Sequence, residues 1–212
     1  MENRSIDSRI VSGHPLVAEI LTKLRNHSTD SETFRKLGKQ ITQLLLYEAI
    51  ATIETEQVHI ETPLSPTQGE KLKGSIMIIP VLRAGLIMAE AAAEILPDAS
   101  VVHIGLVRDE ETLKPKEYLS PRGSETSASI GLILDPMLAT GGTAAAACNS
   151  MKSWEFDKLI FVGILGSEEG VSYFQYEYPN VEIHLAAIDP YLDENGFILP
   201  GLGDAGDRFF ST

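Results

Sequence analysis

A single cysteine, Cys148, stands in 212 residues. That excludes an intramolecular disulfide and any zinc site built on several thiolates, and it suits a reducing compartment. Positive charge is scarce as well: 17 Lys and Arg against 30 Asp and Glu leave a formal net charge of −13. Surfaces that track nucleic-acid phosphates depend on clustered Lys and Arg, so no nucleic-acid partner is expected, and any polyanion must be held by a few locally placed cations. Long apolar runs are missing. The greasiest stretch, Ser75 to Leu82, falls far short of the ~20 residues that span a bilayer, and no early segment joins a basic flank to an apolar core. No membrane partner is expected, and the reading is a cytoplasmic protein. The five histidines show no HxxxH spacing and read as structural or solvated.

What is present is the make-up of a folded globular chain, 43% hydrophobic and 22% charged. Residues 1–212 read as one domain, with N-terminal helices and a β-arm in 1–74 and an α/β core in 75–212. The first dozen residues read as a loose end or a strap. Helices are expected from about Leu16 to Arg25 and from Ser31 onward, where Phe34, Leu37, Ile41, Leu44 and Leu45 recur at three- and four-residue steps. QVHIETPL alternates like a strand, and SPTQGEKLKG reads as a turn. From Ser75 on, five apolar runs (SIMIIPVL, SVVHIGLV, SIGLIL, KLIFVGIL and VEIHLAAI) alternate mostly with helical segments. Nearly continuous apolar strands are buried on both faces, so the expectation is a doubly wound, mainly parallel five-stranded sheet flanked by helices. In such sheets, sites form beyond the carboxyl ends of the strands.

One of those ends carries DPMLATGGT. Asp135 is the first polar side chain after SIGLIL, and a helix begins near Thr143. Gly141 and Gly142 allow positive φ and close approach. The backbone N–H groups from Ala139 to Thr143, the hydroxyls of Thr140 and Thr143, and the start of the helix can together hold a phosphate without a cation. No Lys follows these glycines, so this is not a Walker loop. GLGDAG, from Gly201 to Gly206, matches GxGxxG in letters only, because it follows Pro200 rather than a strand. Alone, Asp135 is equally a turn acid, and the adjoining Thr-Gly-Gly-Thr is what favours a site.

A strand, an acid and a Thr-Gly-Gly-Thr loop resemble the type I phosphoribosyltransferases. Within them, DPMLATGG, PVLRAGL (Pro80 to Leu86), RDEETL (Arg108 to Leu113) and GFILPGLGDAGDR (Gly196 to Arg208) resemble the uracil phosphoribosyltransferase family. The resemblance implies transfer of a phosphoribosyl group from phosphoribosyl pyrophosphate to uracil, giving UMP and pyrophosphate. It places the substrate on the stretch Asp135, Pro136, Met137, Leu138, Ala139, Thr140, Gly141, Gly142 and Thr143, with the 5′-phosphate on Ala139 to Thr143 and Asp135 accepting the ribose hydroxyls. Arg83 and Arg108 then meet the pyrophosphate, for which a planar guanidinium fork is well shaped. Uracil is read by peptide groups at Phe197, Ile198, Gly203 and Ala205. Mg2+ is expected on the pyrophosphate, with Asp204 as the nearest protein ligand, although a turn-stabilising role is its alternative. The resemblance further implies a cis peptide at Leu82–Arg83, a closing segment at Pro121 to Ser129, and a homodimer or larger assembly. No side chain in these motifs is an evident general base.

Several positions depart from the family pattern. Phe197 stands for Tyr, Ser167 and Glu168 for Ala-Pro, Ile50 for Thr and Ser211 for Gly, and Leu119 and Ser120 lie where relatives carry Lys-Leu-Pro. Glu168 raises the sharpest question, because a carboxylate facing the substrate would oppose phosphate, whereas at a helix start it complements the dipole. The competing reading is a regulator on the same fold that senses UMP or binds RNA. The charge argues against RNA.

Overall fold

The computed structural model of the chain describes residues 9–108, 115–119 and 128–212. Strand β1 (Arg9–Val11) leads to helix α1 (Pro15–Arg25), which starts where His14 Nδ1 accepts the Leu16 amide at 3.1 Å and Pro15 presets the first turn. Helix α2 (Ser31–Ile50) is capped by Asp30 Oδ1, which accepts the Thr33 amide at 2.9 Å. It buries Phe34, Leu37, Ile41, Leu45 and Ala49 on one face, as the helical spacing requires.

Strands β2 (Thr55–Glu61) and β3 (Pro66–Leu72) form an antiparallel hairpin. The reading of SPTQGEKLKG as a turn is thereby corrected, since residues 66–72 are paired and the reversal is confined to 62–65. Both strands are exposed over most of their length, so β3 lacks the apolar alternation by which a strand is recognised.

The chain then runs through β4 (Ile76–Leu82), α3 (Gly85–Ile95), β5 (Ser100–Val101), β6 (Ile104–Arg108), β7 (Pro115–Leu119), β8 (Ile130–Leu134), β9 (Met137–Leu138), α4 (Gly142–Ser150), β10 (Lys158–Ser167), α5 (Glu168–Glu177) and β11 (Val181–Asp189). The strands join in the order β1-β11-β10-β8-β4-β6-β7, with β5 beside β4 and β9 beside β10. The five apolar runs form the parallel centre, from β6 through β4, β8 and β10 to β11. The sheet is wider than five strands, because antiparallel β7 and the short parallel β1 extend its edges. Alternate residues of each strand enter two cores. Ile78, Leu132, Leu134, Ile160 and Val162 pack with α1, α2 and α3, while Ile79, Ile133, Phe161, Ile183 and Leu185 pack with α4 and α5. The result is a three-layer, doubly wound α/β fold.

A small ladder of β12 (Tyr191–Leu192) and β13 (Ile198–Leu199) and helix α6 (Ala205–Phe210) complete the chain. Phe209 holds α6 on α2, its ring 4.8 Å from that of Phe34. Gly38 makes room for it, since a Cβ there would lie 2.4 Å from the Phe209 ring.

Arg25 and Arg35, on helices where an arginine is by default a solvated surface residue, are both engaged. Arg35 donates to the Phe209 carbonyl at 2.8 Å, and Arg25 forms a two-pronged pair with Asp189. Their partners lie more than a hundred residues away in the chain, where local spacing carries no signal. Among the described residues, no helix is long and apolar enough to cross a membrane.

From β4 the chain moves to β6 on one side and then returns to β8 on the other. Loops leaving the carboxyl ends of β4 and β8 therefore diverge and open a crevice between them.

Candidate active site

A cavity of about 890 Å3 opens at that switch point. Arg83 reaches it from the end of β4 and Asp135 from the end of β8; Met137 and Leu138 of β9, Ala139, Thr140 and Gly141 of the loop before α4, and Thr143 of the first turn of α4 also line it. The segment after β12 contributes Phe197, Ile198, Gly203, Asp204 and Ala205. The sequence-derived site residues thus converge from three stretches of chain on one hollow. Pro136, between β8 and β9, and Gly142, the first residue of α4, do not line the cavity. Arg108 ends β6, beside β4, but its side chain lies outside the described residues, as do Asp109 to Leu113 and most of the Pro121 to Ser129 segment.

The loop before α4 is shaped for an anion. Gly141, at the N-cap, has φ +78°, the left-handed region that glycine enters without a steric penalty. No side chain caps α4. Helices α1, α2, α5 and α6 each receive a side-chain cap, whereas α3 and α4 do not, and these two begin at Arg83–Gly85 and Gly141–Thr143, on the cavity. The positive ends of two helix dipoles are therefore turned toward the same space, with the Gly142 amide donating to Thr140 Oγ1 at 3.4 Å and the Leu86 amide to the Arg83 carbonyl at 3.1 Å. Arg83 adds a guanidinium that is mostly exposed; Asp207 stands 4.0 Å away. The Leu82–Arg83 peptide is cis, as the resemblance implies.

Asp135 is buried, with the Met137 amide donating to its Oδ1 at 3.4 Å. Burial raises its carboxyl to about 7, and that amide offsets only part of the effect. Asp204 Oδ1 accepts the Asp207 amide at 2.9 Å, capping α6, so its turn-stabilising role and its place on the cavity coexist.

One expected contact is corrected. The Phe197 amide donates to Asp193 Oδ1 at 2.8 Å and is no longer left for a base, while its carbonyl accepts the Asp193 amide at 2.9 Å and keeps one lone pair. Hydrogen-bonded and outward-facing pairs alternate along an antiparallel ladder. Ile198, paired in register with Leu192, therefore turns its own N–H and C=O away from β12. The side chain of Phe197 remains at the cavity, 44% exposed, so the missing phenolic hydroxyl removes no backbone contact.

The other departures have local accounts, except Leu119, which ends β7 without one, and Ser120, which lies outside the described residues. Ser167 caps α5, its Oγ accepting the Gly170 amide at 2.8 Å and donating to the Ala139 carbonyl at 2.5 Å. Glu168 sits in the first turn of α5, 3.6 Å from Arg9, and is not among the cavity residues. Ser211 takes φ +59°, the conformation that the family glycine would adopt at less cost. Ile50, the last residue of α2, packs against the core. Sequence reasoning missed Tyr118, Leu106 and Val107 of β6 and β7, which also line the cavity. They are apolar or aromatic residues in ordinary strand positions, and nothing in their spacing marks them.

Comparison with known proteins agrees with this geometry. The family model for uracil phosphoribosyltransferase matches residues 11–212. A uracil phosphoribosyltransferase of Roseiflexus sp. (strain RS-1) is 44% identical over 203 residues, covering 96% of this chain and 98% of the relative. That of Dictyoglomus turgidum is 46% identical over 204 residues, covering 96% and 99%. A solved structure of an Aquifex aeolicus protein superposes with a TM-score of 0.90 at 34% identity, covering 96% of this chain and 98% of that one. Adenine phosphoribosyl transferase from Trypanosoma brucei, 13% identical, shares the fold with a TM-score of 0.56 over 90% of this chain and 88% of its own. The chain belongs to the uracil phosphoribosyltransferase family.

Proposed function

We propose that the chain is a cytoplasmic pyrimidine-salvage enzyme that transfers the phosphoribosyl group of phosphoribosyl pyrophosphate to uracil. The observation that carries the reading is one cavity bordered by two uncapped helix starts, Arg83, the buried Asp135 and the outward peptide groups of Ile198. The 5′-phosphate rests on the Ala139 to Thr143 amides and the ribose hydroxyls donate to Asp135. Arg83 receives the pyrophosphate as the C1′–O bond breaks; uracil N1 bonds to C1′ and loses its proton. Charge grows on the leaving group as the bond stretches, so a cation fixed there stabilises the transition state more than the ground state. Ile198, Gly203 and Ala205 read the acceptor-donor-acceptor edge of uracil, and cytosine would leave buried peptide groups unpaired.

Among the described residues, no cluster of three His, Cys, Asp or Glu side chains is arranged to hold a metal. Asp204 commits Oδ1 to its helix, which fits a hard ion held mainly by phosphate oxygens and water, with Asp204 as a single protein ligand. Mg2+ bound in that way would supply neutralisation of the pyrophosphate. The exposed β2–β3 hairpin, with Leu64 at its tip 96% exposed, supports association with a second copy.

The test is turnover with Mg2+, phosphoribosyl pyrophosphate and a panel of bases. UMP should form from uracil alone, and light scattering of the same sample should exceed the mass of one chain. Turnover of another base, or retention of UMP without turnover, would replace this reading by another transferase or by a nucleotide sensor.

Asp135 makes the site sensitive to pH. Its pKa is raised from 3.8 to about 7 in the free protein, so the stability it contributes is full below about pH 4 and is lost as pH rises through 7. Ribose hydroxyls need the ionised acceptor. Affinity for ribose 5-phosphate should therefore rise across pH 6 to 8, with proton release near pH 7. Titration calorimetry in buffers of differing ionisation enthalpy reads that proton. The ligand phosphate, with a second pKa of about 6, adds its own contribution, and Asp135→Asn isolates it. Equal proton release from the wild-type chain and the variant would remove Asp135 from the binding step.

A further inference from the structure

The peptide of Gly201 is held on both sides by one ion pair. Arg25 Nη1 and Nη2 donate to Asp189 Oδ2 and Oδ1, each at 2.7 Å. Arg25 Nη1 also donates to the Gly201 carbonyl at 2.8 Å, and the Gly201 amide donates to Asp189 Oδ2 at 2.9 Å. Asp189 ends β11, so the pair carries the position of the sheet directly into the C-terminal segment. Burial would raise the Asp189 carboxyl, but the Arg25 hydrogen bonds, the Gly201 amide and the Arg25 charge outweigh it and hold it low.

Gly201 is the point at which this segment folds back. Its φ is +64°, and a Cβ there would lie 2.0 Å from the Ile198 carbonyl oxygen. Any displacement of Gly201 is therefore felt at Ile198, and two residues onward at Gly203, whose φ is +81°. These two residues border the cavity, while neither Arg25 nor Asp189 does. Arg208 secures the next residue from the same direction: it donates to the Leu202 carbonyl at 2.7 Å and to the Asn26 carbonyl at 2.7 Å just beyond α1, and lies 4.1 Å over the Phe34 ring. The consecutive residues Gly201 and Leu202 are thus tied to the carboxyl end of α1.

We infer that Arg25 and Asp189 are positioning residues for base recognition, setting the spacing between the Ile198 peptide groups and the Gly203–Ala205 turn without touching the substrate. The inference rests on the function proposed above. The geometry calls for a guanidinium, since a single ammonium cannot meet both carboxylate oxygens and the Gly201 carbonyl in one plane. Base recognition by peptide groups depends on their separation. Loosening the clamp therefore weakens the grip on the base and leaves the loop before α4, on a separate stretch of the chain, as it was.

The experiment compares the wild-type chain with Arg25→Lys and Asp189→Asn. Each is assayed for KM of uracil and of phosphoribosyl pyrophosphate, and for Kd of UMP and of ribose 5-phosphate. Both variants should raise the uracil KM and the UMP Kd by about tenfold, as expected when one partner of a bidentate, part-buried pair is lost. The ribose 5-phosphate Kd should stay within about twofold, because a site separated from the change responds independently. Arg25→Lys, despite keeping the charge, should not rescue. The ribose 5-phosphate measurement also reports folding, so a general loss of structure would lower both affinities together. Such a parallel loss, or an unchanged uracil KM, overturns the positioning role. Failure of the wild-type chain to convert uracil would instead overturn the proposed function, and the UMP against ribose 5-phosphate comparison would still judge the clamp.

Discussion

Arg83→Ala should lower kcat with uracil and phosphoribosyl pyrophosphate by two to three orders of magnitude while leaving the affinity for UMP within a few-fold. The asymmetry follows from where Arg83 sits. It leaves the end of β4 immediately before the uncapped start of α3, and its side chain is mostly exposed, with Asp207 no closer than 4.0 Å. A guanidinium so loosely engaged contributes little to the fold, and its removal should barely change Tm. Its contribution comes when pyrophosphate gains charge on leaving, where one well-aimed donor is worth about 3 to 4 kcal/mol. UMP carries no pyrophosphate and does not meet it. Arg83→Lys should recover only part of the rate, because an ammonium keeps the charge and loses the fork. Rates equal to wild type in the alanine variant would make Arg83 a surface residue and take the leaving-group site elsewhere.

The parts of this molecule legible in the sequence are those in which one stretch of chain carries its own cause. The central strands are apolar on both faces, so β4, β8 and β10 declare themselves as uninterrupted runs, and α2 shows its buried stripe by spacing alone. The Asp135 to Thr143 loop is readable for the same reason: acid, glycines and hydroxyls are contiguous, and the chemistry of a phosphate cradle is local. The exposed strand β3 has no buried face to impose a pattern, and so its sequence reads as a turn. The pairing of Phe197 with Asp193 is equally hidden, because a residue that by its position offers two peptide groups to a ligand has already bonded its amide, and one lone pair of its carbonyl, to a neighbour four positions away. Arg25 illustrates the general limit. Charge on a helix end is solvated by default, and only the tertiary arrangement brings Asp189 and the Gly201 peptide to it.

Gly170→Ala should abolish tight binding of ribose 5-phosphate, although on an isolated helix the same change is favourable by about 1 kcal/mol. Glycine in the first turn of α5 looks like a poor choice until its surroundings are considered. A Cβ at this position would lie 1.9 Å from the Ala139 carbonyl oxygen and 2.9 Å from that of Leu138, both in the loop before α4. On the other side of the contact, a Cβ on Gly141 would meet the Gly170 carbonyl oxygen at 2.7 Å. Two stretches of backbone therefore touch directly, with Ser167 Oγ bridging them by its bonds to the Ala139 carbonyl and the Gly170 amide. No flexible side chain is present to give way, so one methyl group must push the loop or the helix by a sizeable fraction of an ångström. Displacement of that size at a binding constellation costs about a hundredfold, and crowding of the packed backbone removes about 1 to 3 kcal/mol of stability as well. Gly13→Ala supplies the control, since a Cβ at Gly13 would meet nothing within 4 Å; it should bind and melt as the wild-type chain does. If Gly170→Ala melts lower yet binds ribose 5-phosphate undiminished, and the loop before α4 is seen to have shifted in a crystal of the variant, the Ala139 to Thr143 amides are not where the phosphate rests.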